Sequence, residues 1–213
     1  MSMRGWAIVL ALAAGGWWYS PVSPRALAQP AFAAGSAKVA CLLPPPAIAG
    51  QPPRQSPVGA MSSVQLRSAT LSPLAGFSAE ARVLSRRDYS LGREALLSPT
   101  DLALGWQRMT QDAVVSQLDI SQGNRWYRYR WSDGPPIPPR EIAESSANMH
   151  LIPADEATAA TLRAVRRGDR VRVDGWLVEA RSTDGWRWRS STRRDDTGAG
   201  ACELVYVCAI TRL

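Results

Sequence analysis

His150 is the only histidine in this chain of 213 residues, so the residues that could carry out chemistry are few. A single imidazole excludes a metal site built from several histidines of one chain. With Cys202, His150 could form a base and a thiol nucleophile, but the sequence indicates no third group to orient the ring. The alternative is a structural histidine in the segment SSANMHLIP, in a turn and hydrogen-bonded to the backbone. We therefore assign no catalytic residue and keep His150 as a candidate binding residue.

Asp195 and Asp196 are a second possible site, because adjacent carboxylates in a loop can bind a divalent cation. They follow Arg193 and Arg194 in the segment TRRDDTGAG, which lacks the ligand spacing of calcium loops. The two arginines would neutralise the carboxylates. DTGAGA also follows no strand-to-helix transition of the kind that a phosphate-binding loop requires. The sequence therefore predicts a solvated loop, no metal site and no cofactor.

Arginine and aromatic residues alternate in the segment RWYRYRW at 125–131. Proteins that bind single-stranded nucleic acid need rings and cations on the same exposed surface. Side chains alternate across a strand, so most of these rings and arginines fall on opposite faces. The face predicted to be buried carries Tyr127, Tyr129 and Trp131. Trp126 shares the other face with Arg128 and Arg130, and these three are candidate binding residues.

A second such segment, WRWR at 186–189, follows the hairpin signal Asp-Gly. Trp186 and Trp188 share one face of the predicted strand, and Arg187 and Arg189 share the other. We expect the rings to be buried. The two arginines are candidate binding residues for anionic lipid headgroups or envelope glycans, or they pair with nearby carboxylates.

Alternation and capping signals predict the elements that position these residues. Residues 77–86 alternate as in a half-buried strand, and residues 124–131 form a second strand. The segment Ser-Pro-Thr-Asp at 98–101 predicts the start of a helix, and Thr110 predicts another. Asp155 caps a clearer helix that stops at Gly168. Further elements are expected as a short helix at 139–147 and strands at 170–180, 186–190 and 201–210.

These elements predict an α+β domain with an antiparallel sheet of about five strands and two to four short helices. A small OB-like barrel would suit the C-terminal half. The order of helices and strands does not match that fold cleanly, so the barrel remains an alternative within the same class.

The N-terminus has the layout of an export signal. Arg4 precedes an uncharged, mostly apolar run at 5–19, and two Ala-x-Ala sites follow. Trp17, Trp18 and Tyr19 favour a membrane interface, so residues 1–28 are either a cleaved signal peptide or an N-terminal membrane anchor. Residues 29–61 are rich in proline and alanine and predict a linker that does not pack. The globular domain is then 62–213, located in the periplasm or held at the periplasmic face of the inner membrane.

The chain has three cysteines. Cys202 and Cys208 fall on one predicted strand about 20 Å apart, beyond the reach of a disulfide. Their spacing places them on one face with Leu204 and Tyr206, which predicts small buried residues. A disulfide from Cys41, in the linker, to one of them remains open.

The net charge is +7, but all four basic residues of 1–61 lie in the leader or the linker. Without them the folded part carries a net charge of +3, which is only weak evidence that the domain binds nucleic acid.

Five segments resemble an uncharacterised family of proteobacterial exported or inner-membrane proteins with one N-terminal hydrophobic segment. They are RWYRYRW, SSANMHLIPA, GDRVRVDGWLVEA, DGWRWRSS and DTGAGACELVYV, and the likeness spans roughly residues 77–208. The resemblance implies the topology of an exported chain and no activity, cofactor or site residue.

Three functions follow as hypotheses. The first is a non-catalytic envelope domain that binds a partner protein or an anionic envelope component through its arginine faces. The second is an OB-like module for single-stranded nucleic acid that uses Trp126 and its flanking arginines. The third is a hydrolase that uses His150 with Cys202 or with the pair Asp195 and Asp196.

Overall fold

The chain is of the α+β class, mostly sheet with a few short helices. A computed structural model describes residues 3–18, 41–193 and 202–213. The strands are β1 (Arg54–Ser56), β2 (Val64–Gln65), β3 (Thr70–Asp88), β4 (Thr100–Gly105), β5 (Asp119–Gly123), β6 (Trp126–Arg130), β7 (Ser146–Pro153), β8 (Arg170–Arg181), β9 (Arg187–Arg189) and β10 (Glu203–Arg212). The helices are α1 (Met3–Trp18), α2 (Asp112–Val115), α3 (Pro139–Glu144) and α4 (Glu156–Ala164), with short 3-10 helices at Glu94–Leu96 and Gln107–Thr110.

Eight of the described strands form one sheet, and β5 and β6 form a separate hairpin. The sheet is larger than the five or so strands that the sequence predicts, because β1, β2, β4 and β7 were not anticipated. The strand predicted at 124–131 forms β6 of the separate hairpin instead. It is also not wholly antiparallel, since β7 and β10 run parallel to each other. Strand β3 pairs with β4 on one edge and with β8 on the other. The order β3-β4-β7-β10-β8 therefore returns to β3 and closes a ring.

The length of β3 makes this closure possible. It has 19 residues and pairs with β8 over residues 70–82 and with β4 over residues 82–88, with register shifts between Pro73 and Ala75 and between Val83 and Ser85. Such bulges bend a strand and strengthen its twist, which a closed sheet needs. The side chains of Phe77, Ala79 and Ala81 point into the ring and are buried. The alternation predicted for residues 77–86 is thus confirmed.

The helix predicted to start near Ser98 is absent, and residues 100–105 form β4 instead. All six residues of β4 are buried, with Leu102 and Leu104 inside the ring and Asp101 and Ala103 on its outer side. A strand buried on both faces has no polar alternation, and a short apolar run of this kind cannot be told from a helix by periodicity.

The other predicted helices are present, but two are shorter than predicted: α3 ends at Glu144, with β7 beginning at Ser146, and α4 ends at Ala164 rather than at Gly168. Helix α2 starts just after Gln111, and α3 begins at Pro139 with proline at its first position. The Asp155 carboxylate accepts a hydrogen bond of 2.8 Å from the backbone N–H of Thr158 and caps α4. Helix α4 connects β7 to β8 and packs Leu162 against the interior of the ring.

Residues 41–61 pack on the sheet, contrary to the prediction of a linker that does not pack. Strand β1 pairs with β3, and the Trp176 Nε1–H donates a hydrogen bond of 2.7 Å to the carbonyl oxygen of Leu42. Cys41 forms a disulfide with Cys208, with the two Cα atoms 5.4 Å apart. Proline-rich composition indicates an extended chain, but an extended chain can still lie along a sheet. Residues 29–40 of the predicted linker lie outside the described residues.

Helix α1 coincides with the apolar N-terminal run. In the three described stretches, no helix is both long enough and apolar enough to cross a membrane. The two Ala-x-Ala sites belong to the residues that the structure does not describe.

Candidate functional site

Asp101 is the centre of a buried polar cluster on the outer side of the ring. It lies on β4 directly opposite His150 of β7, and its side chain has no solvent exposure. Its Oδ1 atom accepts a hydrogen bond of 2.6 Å from Nη1 of Arg125 and lies 3.0 Å from Nδ1 of His150. Asn148, two residues before His150, donates from Nδ2 to the second oxygen of Asp101 at 3.5 Å. A buried carboxylate needs partners of this kind, because an unpaired charge is costly away from water.

Arg125 reaches this cluster from the turn of the β5–β6 hairpin. Asn124 and Arg125 have φ angles of 53° and 66°, as in a two-residue turn that glycine usually completes. A non-glycine residue is strained there. The contacts of Arg125 offset this strain: its guanidinium lies 3.8 Å from the centre of the Tyr89 ring, and its carbonyl oxygen accepts a hydrogen bond of 3.0 Å from Asn148. Arg125 therefore fastens the hairpin to the ring.

His150 lies on a strand, not in a turn, and its Nδ1 atom lies beside the Asp101 carboxylate rather than a backbone group. Its side chain is 3% exposed, and the Trp188 ring lies over it with 4.8 Å between the ring centres. An Asp beside Nδ1 is the arrangement that orients a histidine base. Trp188, however, covers the imidazole. The geometry therefore favours a structural role for His150 over a role that needs access to a substrate.

Cys202 lies at the edge of the same cluster. The parallel register pairs Leu204 with His150, which places Cys202 level with Asn148 on the outer side of the ring. Its Sγ atom is 3.9 Å from the carbonyl oxygen of Arg125. Cys202 forms no disulfide with any residue that the structure describes, whereas Cys208 does.

Two connections close over this end of the ring. Arg93, between β3 and β4, forms an ion pair of 2.8 Å with Asp184 in the β8–β9 turn and lies 5.5 Å from the centre of the Trp186 ring. Trp186 in turn packs beside Trp188 with 6.1 Å between ring centres. Both tryptophans are half-buried. An arginine from a different element, Arg93, thus lies against a tryptophan ring of the segment WRWR, in addition to the arginines within that segment.

A second charged group, the Glu179 cluster, consists of Glu179, Arg181, Arg187 and Arg189. Cross-strand pairing of β8 with β9 places all four side chains on one face. The Glu179 Oε2 atom lies 2.6 Å from Nη2 of Arg187 and 2.8 Å from Nη1 of Arg189, and Oε1 contacts Arg181. The Glu179 side chain is 4% exposed, whereas the three guanidinium-bearing side chains are 50–61% exposed.

The carboxylate of this cluster is ionised at ordinary pH. Burial raises the pKa of Glu179, but hydrogen bonds from Arg189, Arg181 and Arg187 outweigh that effect and lower the pKa to about 2. Three guanidinium groups and one carboxylate leave a formal net charge of +2 in the cluster. The arginines therefore pair with a carboxylate, as one alternative predicted, and still present positive charge to solvent.

Strand β6 places its rings and arginines as alternation predicts. Tyr127 and Tyr129 pack on a buried apolar group behind the hairpin, and burial raises the pKa of both hydroxyls. Trp126, Arg128 and Arg130 are exposed on the other face. Arg130 lies 3.5 Å from Asp119 across the hairpin, with both side chains more than two-thirds exposed. This face carries one ring and two cations on one surface.

The candidate residues thus separate into three places: His150 in the buried cluster, Arg187 and Arg189 in the Glu179 cluster, and the remaining three on β6. The sequence did not point to Asp101, Arg125, Glu179 or Arg181. One signal existed, since Glu179 is the only carboxylate among apolar residues in the run GWLVEA. Asp195 and Asp196 lie outside the described residues. Among the residues that are described, no group of three or more His, Cys, Asp and Glu side chains could hold a metal ion.

No family model matches the chain, and neither a curated protein nor a solved structure is significantly similar to it.

Proposed function

We propose that this chain is an exported envelope protein whose barrel is a non-catalytic binding domain for an anionic envelope component. The Glu179 cluster carries the proposal, because it presents a net charge of +2 on one face of a paired set of strands. Arginine forks of this kind suit carboxylate and phosphate groups.

Two further features support the proposal. The disulfide between Cys41 and Cys208 favours an oxidising compartment such as the periplasm. The ring order, with a parallel pair of β7 and β10 and a helix between β7 and β8, supports the OB-like barrel as part of this proposal. Such barrels bind ligands near two connections, the one between their first and second strands and the one between their fourth and fifth. In chain order the ring strands are β3, β4, β7, β8 and β10, so the second connection joins β8 to β10 and contains β9. The Glu179 cluster lies on β8 and β9, beside the second of these connections.

A vesicle-binding experiment tests the proposal with a matched pair of double variants. Arg187→Gln/Arg189→Gln and Arg128→Gln/Arg130→Gln each remove two exposed arginines with the same spacing on a short strand. The full chain is mixed with vesicles of phosphatidylcholine, with and without phosphatidylglycerol, and the bound fraction is measured after sedimentation. We expect anionic lipid to increase binding and Arg187→Gln/Arg189→Gln to weaken that increase about tenfold. Equal effects of the two variants, or no increase, would overturn the proposal.

A second candidate function, binding of single-stranded nucleic acid, is favoured by the exposed face of β6. Trp126 offers a ring for stacking, and Arg128 and Arg130 lie beside it on the same surface. The full chain should then shift a labelled oligonucleotide at low salt, and Arg128→Gln/Arg130→Gln should abolish the shift. Electrostatic binding to nucleic acid is strongest at low salt, so the absence of a shift at about 20–50 mM salt rules this function out.

The hydrolase hypothesis has one favourable observation, the Asp101 carboxylate beside Nδ1 of His150. Trp188 over the ring opposes it. We therefore expect no hydrolysis of a simple activated ester, such as p-nitrophenyl acetate, that depends on His150. Activity that is lost in His150→Ala and in Cys202→Ser, with both variants folded, would replace the binding function with an enzymatic one.

A further inference from the structure

We propose that the Glu179 cluster recognises a terminal phosphomonoester, a phosphate group joined to only one carbon. This inference rests on the proposed function and specifies its ligand chemistry. The cluster would then prefer a dianionic group over singly charged phosphodiesters and carboxylates, whereas a general basic surface would bind all of these anions similarly.

Charge is the first argument. The three arginines and Glu179 carry a formal net charge of +2. A phosphomonoester carries close to −2 at neutral pH, because its second pKa is about 6. A phosphodiester or a carboxylate carries −1 and leaves one guanidinium charge without a counterion. The dianion therefore matches the cluster best.

Preorganisation is the second argument. Each arginine already uses some of its N–H groups on the Glu179 carboxylate, which fixes the position of each fork. A guanidinium has five N–H donors, so further donors remain for a ligand. The three side chains are 50–61% exposed, so a ligand can reach them. Fixed donors cost less side-chain entropy on binding than mobile ones do.

The neighbouring strand adds hydroxyl groups to the same face. Ser72 of β3 pairs with Glu179. Thr70 pairs with Arg181, but its hydroxyl already donates a hydrogen bond of 2.6 Å to Oε1 of Gln65, so the hydroxyl donor proposed for the ligand is that of Ser72. Residues directly opposite each other in an antiparallel pair share a face. Hydroxyl donors beside arginine forks are a common feature of phosphate sites, since phosphate has three terminal oxygens to satisfy.

Among the residues that the structure describes, the groups facing the cluster are guanidinium groups, carboxylates and neutral hydroxyls, and side chains of these types ordinarily do not change charge between pH 5 and 7.5. The cluster itself holds arginines and Glu179, whose pKa is about 2. Thr70 and Ser72 on β3 are neutral, and Asp184 in the β8–β9 turn pairs with Arg93. His150 packs against Trp188, which points to the opposite face of β9 from Arg187 and Arg189. A pH effect in this range therefore reports on the ligand.

Two vesicle types test the proposal with the full chain. One contains phosphatidic acid, whose headgroup is a phosphomonoester, and the other contains phosphatidylglycerol, a phosphodiester, at matched surface charge. We expect the wild-type chain to bind the first about fivefold to tenfold more tightly at pH 7.5, as one additional charge-assisted contact would give. The preference should disappear near pH 5, where the phosphomonoester is singly charged.

The variants assign the preference to the cluster. Arg187→Gln/Arg189→Gln should remove the preference, and Arg128→Gln/Arg130→Gln should keep it. A variant chain that has lost its wild-type circular dichroism spectrum is replaced by the single variant Arg189→Gln, which leaves two arginines on Glu179. A preference that survives in a folded cluster variant overturns the proposed site.

The remaining outcomes separate this inference from the proposed function. Tight but equal binding of both anionic vesicles overturns the phosphomonoester inference and leaves the general function intact. Absence of binding to either vesicle overturns both. Soluble glycerol phosphate is the competitor: displacement supports recognition of the phosphate group itself, and a preference without displacement supports a lipid headgroup as its source.

Discussion

Asp101 is a carboxylate that the folded chain must neutralise internally. Its side chain has no exposure, and its charge faces Arg125 and His150. The opposite case is Asp119, whose side chain is 71% exposed and lies 3.5 Å from the exposed Arg130. The two aspartates are on strands and each contacts an arginine, so they differ mainly in burial.

Asp101→Asn should lower the free energy of unfolding by about 3 kcal/mol, because it leaves Arg125 partly buried without a counterion. Asp119→Asn should change it by less than about 0.5 kcal/mol, as exposed pairs usually do. Urea denaturation followed by tryptophan fluorescence measures both values. Equal values for the two variants would show that the buried pair contributes nothing beyond a surface pair.

Glu179 predicts a defined dependence of stability on pH. Its pKa of about 2 in the folded chain lies below the ordinary value of 4.5. Its ionic contribution is therefore complete above pH 4.5 and is lost as the pH falls toward 2. The difference in unfolding free energy between the wild type and Glu179→Gln should be constant from pH 8 to about 5 and should shrink below that.

Glu144→Gln is the control for this titration, since Glu144 forms an exposed pair with Arg140 on α3. Its effect should be small at every pH. If the Glu179 difference instead began to shrink at neutral pH, the carboxyl group would have to titrate far above 2.

At the scale of elements, the contact between β8 and β10 depends on a glycine. A Cβ atom at Gly175 would meet the carbonyl oxygen of Tyr206 and lie 3.0 Å from Cα of Val207. Both neighbours are backbone atoms, which cannot rotate away. The register of β10 shifts just beyond this point, between Val207 and Ala209. Glycine at 175 is therefore what lets the two strands approach at a bulge.

Gly175→Ala should destabilise the protein by about 3 kcal/mol, because the added methyl group forces the two strands apart. Gly123, at the end of β5, is the matched control, since a Cβ atom there meets nothing within 4 Å. Gly123→Ala should change the unfolding free energy by less than about 0.5 kcal/mol. Thermal unfolding of both variants measures the difference, and similar melting temperatures would contradict the close approach.

At the scale of the whole molecule, the folded body begins at or before residue 41. Cys41 is joined to Cys208 across a sequence separation of 167 residues. Between them, β1 covers part of β3, and Met61 is buried. A boundary at residue 62, which composition alone predicts, would remove all of these contacts.

A fragment of residues 41–213 should therefore be more stable than one of residues 62–213, by at least about 3 kcal/mol for the disulfide alone. Adding a thiol reductant should lower the stability of the longer fragment and leave the shorter one unchanged. Urea denaturation with and without reductant measures both effects. Equal stability of the two oxidised fragments would mean that residues 41–61 do not belong to the folded body.

Local patterns in the sequence were enough to place some side chains. Alternation places Tyr127 and Tyr129 inward and Arg128 outward on β6, and the Asp155 cap marks the start of α4. These features depend on residues within a few positions of each other. The alternation of β9 likewise separates Arg187 from Trp188, although both tryptophans of that segment are only half-buried.

The polar cluster could not be predicted in this way. Asp101 meets Arg125 from 24 positions away, and the contact exists only because the β5–β6 hairpin folds over β4 and β7. Glu179 becomes a charged centre only when β9 returns beside β8. Pairing of β7 with β10 and the disulfide of Cys41 depend on the closed ring, for which no local signal exists.

The position of β10 in the ring sets the order in which the fold can be completed. It is the last strand that the structure describes, yet it lies between β7 and β8. A chain that emerges with its N-terminus first, from a ribosome or through a membrane channel, cannot close the ring until residues 203–212 have emerged. Until then β7 has an unpaired edge, which is prone to pair with other chains. Cys41 must also wait for Cys208, so oxidation of this pair marks the completion of the fold.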